Sequence, residues 1–165
     1  MIGIKGGTHL KSIIIYYSYG GNTKRIANMI HDKTGYDIVE IKPVVPYTSD
    51  YQKLVDEEEN KMHQEEVVEI EPISVDLNNY DAIILGTPIW WYTMTPPIRT
   101  FLKNNDLSGK VIVPFATNGG WLGSTFDDIK KYALNSNILN PISIKFNGSD
   151  LAISQDELNE WILKL

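Results

Sequence analysis

Ile13-Ile14-Ile15-Tyr16-Tyr17-Ser18-Tyr19-Gly20-Gly21-Asn22-Thr23 runs from an apolar block into a turn rich in hydroxyls and glycine. The first five residues are β-branched or aromatic and read as a buried parallel strand. Lys24 to Thr34 follows with Ile26, Ala27 and Ile30 on one helical face, and Gly35 supplies a stop. A strand, a tight turn and a helix N-terminus in that order make an anion site. The first N–H groups of the helix lack intrahelical acceptors, and the helix dipole favours negative charge there. Ser18 to Thr23 contains no Lys or Arg, so a phosphate would be held by N–H groups and hydroxyls. The plainer alternative is an ordinary strand-to-helix turn with Asn22 or Thr23 as N-cap.

Other nucleotide motifs fit poorly. The GxxxxGK[ST] loop needs a Lys-Ser/Thr pair after the glycines, and none follows. The dinucleotide pattern GxGxxG is also absent. A phosphorylated receiver domain needs acids at the first strand, and Ile13 to Tyr17 offers none.

Outward from this unit, strand and helix patterns alternate. Tyr36 to Ile41 alternates as a second strand, and Pro43 and Pro46 break the chain. Asp50 to about Val67 places Tyr51, Leu54, Val55 and Met62 at helical spacing, with Met62 as core filler and Glu57-Glu58-Glu59 as the solvated face. A turn at Asn78-Asn79 leads into a third strand, Ala82 to Gly86, and Pro96-Pro97 opens a helix through Ile98, Phe101 and Leu102. Lys110 to Phe115 reads as strand four. Ser124 or Thr125 caps the next helix, with Asp127 and Asp128 in its first turn. Pro141 to Phe146 is strand five. Ser154 with Glu157 is a capping box for a last helix that buries Leu158, Trp161, Ile162 and Leu165. Five strands and five helices in alternation predict an α/β fold with helices on both faces of a parallel sheet.

If strands one, three and four are neighbours, three segments converge at one sheet edge: Ser18 to Thr23, Thr87 to Met94, and Thr117 to Gly123. The second holds three consecutive large aromatics, Trp90, Trp91 and Tyr92, where a solvent-facing loop is ordinarily polar. Such rings offer flat, amphipathic stacking surfaces. In the third, Gly119-Gly120 admits close backbone approach and Trp121 supplies a further wall. Each element also has a structural explanation, as core packing or as a turn.

At 165 residues a single domain with a full core is expected. Residues 1–10 are glycine-rich and aperiodic and read as a disordered leader or a cloning remnant, leaving 11–165 as the domain. No basic leader with an apolar core marks secretion, and no run suits a membrane span. With no cysteine, redox chemistry here requires a bound cofactor. The net charge of −6 argues against nucleic acid as a partner and suits a basic one, or simply aids solubility. His9, His31 and His63 are scattered, so no metal site is expected.

The spacing S-x-x-G-N-T from Ser18 to Thr23 resembles the phosphate loop of the flavodoxin family. The resemblance continues through Tyr47 to Tyr51 (Y-x-x-D-Y), Gly86 to Pro97 (G-T-P-x-W-W-x-x-x-x-P-P) and Gly109 to Gly120 (G-K-x-x-x-P-F-x-T-x-G-G), and so spans nearly all of residues 12–165. It points to a short-chain branch with Trp-Trp in the second loop. It implies a flavodoxin-like three-layer sandwich: a five-stranded parallel sheet of order 2-1-3-4-5 with helices on both faces. It further implies FMN as cofactor, low-potential electron transfer, redox partner proteins docking near the flavin edge, and a cytoplasmic location with no membrane partner. By position, Ser18, Tyr19, Gly20, Gly21, Asn22 and Thr23 match the phosphate loop. Pro88, Ile89, Trp90, Trp91 and Tyr92 match one flavin-ring loop, and Thr117, Asn118, Gly119, Gly120, Trp121 and Gly123 match the other.

No residue is assigned a catalytic role. Two alternatives stand beside the carrier: an NAD(P)H-dependent FMN reductase of quinones or similar acceptors, and a flavin-free binding module on the same fold. Gly20 replaces a hydroxyl residue usual in the phosphate loop, and the second loop lacks the glycine whose peptide turns toward reduced flavin. The latter departure implies that little one-electron-reduced flavin accumulates.

Overall fold

The computed structural model describes residues 10–62 and 67–165. His9, His63 and the leader up to residue 9 lie outside the described residues, as do the Met62 side chain and the chain at 63–66 that the sequence assigns to the acidic helix. In chain order the elements are β1 (Ser12–Tyr16), α1 (Asn22–Thr34), β2 (Asp37–Glu40), α2 (Tyr51–Met62), β3 (Ala82–Trp90) and β4 (Thr93–Met94). There follow α3 (Pro96–Asn104), β5 (Val111–Asn118), α4 (Thr125–Tyr132), β6 (Asn137–Ile138), β7 (Ile142–Asn147), β8 (Asp150–Leu151) and α5 (Gln155–Ile162). A single 3-10 turn, Leu77–Asn79, precedes β3, with the Asp76 side chain accepting from the Asn78 N–H.

The strands line up as β2-β1-β3-β5-β7-β8. Counting only the five long strands, this is the order 2-1-3-4-5, and those five are mutually parallel. Two-residue strands decorate the frame: β4 antiparallel to β3, β8 antiparallel to β7, and β6 parallel to β5.

Strand periodicity sorts the core into two layers. Ile14 and Tyr16 of β1 face α1 and α5, packing with Ile26, Ile30, Leu158 and Trp161. Ile13, Ile15 and Tyr17 face the opposite side, with Ile98 and Phe101 of α3 and Ile129 of α4. Both faces of the central strands are covered, hence the unbroken apolar runs. Gly86 faces Phe115 across the β3–β5 ladder, and a Cβ there would lie 2.2 Å from the Phe115 ring. A larger residue would displace a fully buried aromatic.

Several local expectations change. The α1 N-cap is Gly21 in a left-handed conformation, not Asn22 or Thr23, and no side chain of the capping residue bonds to the helix. Ser124 does precede α4, but its hydroxyl goes to Asp128 Oδ2 at 2.6 Å and makes no cap bond. β3 continues four residues past Gly86, so Thr87 to Trp90 belong to the sheet and not to a loop. Glu57 and Glu59 are exposed as expected, but Glu58 is only 4 % exposed, with Oε1 on Lys61 at 2.9 Å. The Ser154 cap is as read: its hydroxyl accepts from the Glu157 N–H at 3.0 Å, and all four apolar residues named for the last helix are buried.

Burial of β1 has a pH consequence. Burial, aided by the charge of Glu40, pushes the Tyr16 phenol from 10.0 up to about 12. Burial also raises Tyr17, with Tyr19, Glu40 and Glu58 adding to it. Unfolded tyrosines ionise near 10, so above that pH the unfolded chain holds fewer protons than the folded one and stability falls as pH rises. The urea midpoint should therefore decline steadily between about pH 10 and 12, and Tyr16→Phe should flatten that decline. A wild-type midpoint level across the window would contradict the assignment.

Candidate functional site

β1 and α1 are joined by the turn from Tyr17 to Gly21. Gly21, at φ 92°, bends the chain into the helix in a conformation that side chains resist. The Ser18 hydroxyl accepts from the N–H of Gly21 and of Lys24, each at 3.2 Å, and so draws the turn into a closed cradle. The N–H groups of Asn22 and Thr23 open the helix and have no intrahelical acceptor. Thr23 is buried, and its hydroxyl meets that of Thr117 at 2.7 Å, joining the turn to the end of β5.

The two cations of the first turn of α1 are engaged. Lys24 pairs with Glu40 at 3.0 Å, and Arg25 donates to the Ser149 carbonyl at 3.0 Å. The cradle is thus built from dipoles. Asn22 Nδ2 donates to the Gly148 carbonyl at 2.9 Å, which brings the β7–β8 turn alongside as an outer wall.

The aromatic side is a hairpin, not a loop. Trp90 pairs with Thr93 across β3 and β4, so Trp91 and Tyr92 form a two-residue turn. Both lie at positive φ, 45° and 67°. Such turns favour Asn-Gly, and each L side chain held there costs about 1–2 kcal/mol. The turn is held from below. The Ser124 N–H donates to the Tyr92 carbonyl at 2.9 Å, and the Thr93 and Ser124 hydroxyls both reach Asp128 Oδ2 at 2.6 Å. Gly123, at φ 58°, approaches so closely that a Cβ on it would lie 2.0 Å from the Tyr92 carbonyl oxygen.

Trp90 is the hub of an edge-on ring cluster. Its centroid lies 4.9 Å from Tyr47, 5.6 Å from Tyr19, and 6.2 Å from both Tyr17 and Trp91. Tyr19 is fixed in turn by its phenol, which donates to the Thr48 carbonyl at 2.7 Å. The third segment is ordered by Asn118: Oδ1 accepts from the Gly120 N–H at 2.8 Å, and Nδ2 donates to Ser143 Oγ at 2.9 Å.

Two cavities result. One of about 300 Å³ lies over the cradle, bounded by Tyr19, Gly20, Asn22, Thr23, Pro88, Trp90, Thr117, Asn118, Gly119, Phe146 and Gly148. The other, about 320 Å³, is bounded by Tyr51, Leu54, Val55, Ile89, Trp90, Trp91, Tyr92, Asn118, Gly119 and Trp121. Trp90, Asn118 and Gly119 line both, so the two cavities adjoin. One end offers N–H dipoles and hydroxyls, and the other offers rings.

The three sequence segments therefore meet. Ser18, Gly21, Gly120 and Gly123 line neither cavity. Three of these have contacts that shape the walls instead: Ser18 draws in the cradle, Gly120 bonds to Asn118, and Gly123 backs the hairpin. Sequence reasoning missed Tyr51, Leu54 and Val55, whose helical spacing was assigned to core, and Phe146 and Gly148, assigned to a strand and its end. Among the described residues no cluster of His, Cys, Asp or Glu could hold a metal, and no helix is long and apolar enough to cross a membrane.

Comparison with known proteins finds the same fold among flavoproteins. Among solved structures, a protein from Bacteroides eggerthii DSM 20697 named as a flavoprotein is 27% identical. Its match covers 94% of this chain and 98% of its own, with a TM-score of 0.79. A flavoprotein from Lactobacillus acidophilus NCFM, solved in complex with FMN, is 24% identical over 92% of this chain and 98% of its own, with a TM-score of 0.72. A WrbA-like flavodoxin from Agrobacterium tumefaciens shares the fold at 15% identity, covering 94% of this chain and 92% of its own, with a TM-score of 0.62. No curated protein matches the sequence. The sequence profile described as Flavodoxin matches residues 11–165, and the chain belongs to the flavodoxin family.

Proposed function

We propose that the protein binds FMN across these two adjoining cavities and serves as a low-potential electron carrier. The carrying observation is their adjacency: a dipole-lined cradle and an aromatic slot share Trp90, Asn118 and Gly119. The donor set fits a phosphorylated ring system. The N–H groups of the Ser18–Thr23 turn would hold the phosphate, aided by the Thr23 hydroxyl. Trp90, Trp91 and Tyr92 would wall the ring, and the backbone of Asn118 to Gly120 would face its polar edge. When bound, FMN supplies the electron chemistry, and the protein sets orientation and electrostatics.

Apolar walls disfavour negative charge on the ring. Helix α2 lines the slot and carries a net negative charge, four carboxylates against Lys53 and Lys61, which acts in the same direction. Both effects lower the reduction potential and make the reduced protein a donor. Tyr51, Tyr92 and Trp121 rim the mouth at 71 %, 60 % and 71 % exposure, where a redox partner protein in the cytoplasm would dock.

The same exposure supports a second reading, a nicotinamide-dependent FMN reductase, because these rings border the slot without closing it. FMN added to purified protein should be taken up stoichiometrically with a perturbed absorption spectrum. A potentiometric titration should then place the bound couple below free FMN. A colourless preparation that fails to take up FMN would overturn cofactor binding. Rapid multiple-turnover reduction by NADH or NADPH alone would decide for the reductase.

A further inference from the structure

Resting on the FMN reading, we propose that Lys145 is a tuning residue: its ammonium is the counter-charge for the ring when the bound flavin is in its reduced, anionic form. Strand β7 is an edge of the parallel ladder whose side chains alternate. Ile142, Ile144 and Phe146 point into the core, while Ser143, Lys145 and Asn147 point outward. Lys145 pairs in register with Asn118, one of the three residues that line both cavities.

Two outward neighbours grip the third segment of the site. Ser143 accepts the Asn118 amide at 2.9 Å. Lys145 lies against Gly120, where a Cβ would stand 3.6 Å from its Cε and 3.7 Å from its Nζ. Gly120 is itself fixed to Asn118 by its N–H. The ammonium is thus laid against the Gly120 end of the third segment, whose backbone at Asn118 and Gly119 would face the polar edge of a bound ring.

Four other cations are committed elsewhere: Lys24 to Glu40, Arg25 to Ser149, Lys53 to Glu57, and Lys61 to Glu58. Lys145 makes no ion pair with any described residue, so its charge is available to a ligand.

The polar edge of a flavin is where charge collects on reduction. Two electrons and one proton convert the neutral oxidised ring to an anion whose negative charge is shared over that edge. Lys145 donates neither the proton nor an electron; it lowers the energy of the product anion. Its attraction to the phosphate is the same in both oxidation states, so the ratio of the two affinities isolates the effect on the ring.

The test is to measure dissociation constants of oxidised and dithionite-reduced FMN anaerobically, at mildly alkaline pH, for wild type, Lys145→Gln, Lys145→Glu and Lys145→Arg. Relative to wild type, Lys145→Gln should weaken reduced FMN against oxidised FMN by about five-fold, the scale of one unit charge at a partly wet mouth. For a two-electron couple that corresponds to a potential about 20 mV lower. Lys145→Glu should extend the change to about twenty-fold, and Lys145→Arg should restore the wild-type ratio. Riboflavin, which lacks the phosphate, should show the same change in ratio, and high salt should shrink it. A wild-type chain that takes up no FMN overturns this proposal together with the cofactor reading. Uptake with a ratio unmoved in Lys145→Gln and Lys145→Glu overturns the role of Lys145 alone.

Discussion

Trp90→Ala should lower FMN affinity by at least about 100-fold, or about 2.7 kcal/mol. The indole lines both cavities, so its loss removes a wall from the slot and from the cradle together. It also removes four edge-on ring contacts, each worth about 0.5–1.5 kcal/mol beyond area burial. Trp90 is half-buried, so stability should fall by about 2–3 kcal/mol, below the full cost of a core tryptophan. Two controls separate the wall from general damage. Trp90→Phe keeps a ring and should recover to within about ten-fold of wild type. Trp121→Ala, at the exposed rim, should cost less than about five-fold. Fluorescence quenching on titration with FMN reads all three. A Trp90→Ala chain that binds within three-fold of wild type would remove Trp90 from the site.

Gly123→Ala should be nearly as severe, for a different reason. Its φ of 58° charges any L side chain about 1–2 kcal/mol. The added Cβ would also meet the Tyr92 carbonyl oxygen at 2.0 Å and the Tyr92 Cβ at 2.4 Å. Relief requires the hairpin tip to lift away from α4, breaking the bond from the Ser124 N–H to the Tyr92 carbonyl. Stability should drop by about 3 kcal/mol in total, and FMN affinity by about ten-fold or more. Gly109 is the matched control: it has φ 75° with nothing within 4 Å of its Cβ position. Gly109→Ala should show the backbone cost alone, with FMN affinity intact. Equal denaturation midpoints for the two variants would show that the Gly123–Tyr92 contact contributes nothing.

The parts legible in the sequence are those whose physics is local. Ile13 to Tyr17 is apolar throughout because both faces of β1 are covered, and that pattern survives without knowledge of its neighbours. Ser154 and Glu157 announce α5 because the cap bond spans only three residues. Trp91 and Tyr92 carry no hairpin signal in the sequence, because a two-residue turn is ordinarily marked by Asn-Gly. Here tertiary bonds from Ser124 and Asp128, more than thirty residues away, hold the turn that propensity resists.

The burial of Glu58 was legible in principle. It follows Leu54 by four residues and so lies on the same helical face, but its charge was given more weight than its spacing. Phe146 and Gly148 are invisible as site residues from sequence alone, since only the β7–β8 turn folding back onto Asn22 brings them there.

The two-residue connection between β3 and β4 leaves no slack in the chain. Trp91 and Tyr92 are carried on a stiff bracket braced from below, not on a tether that follows whatever arrives. That side of the entrance is then set by the ladder and by the first turn of α4 before any guest is present, like one fixed jaw of a calliper.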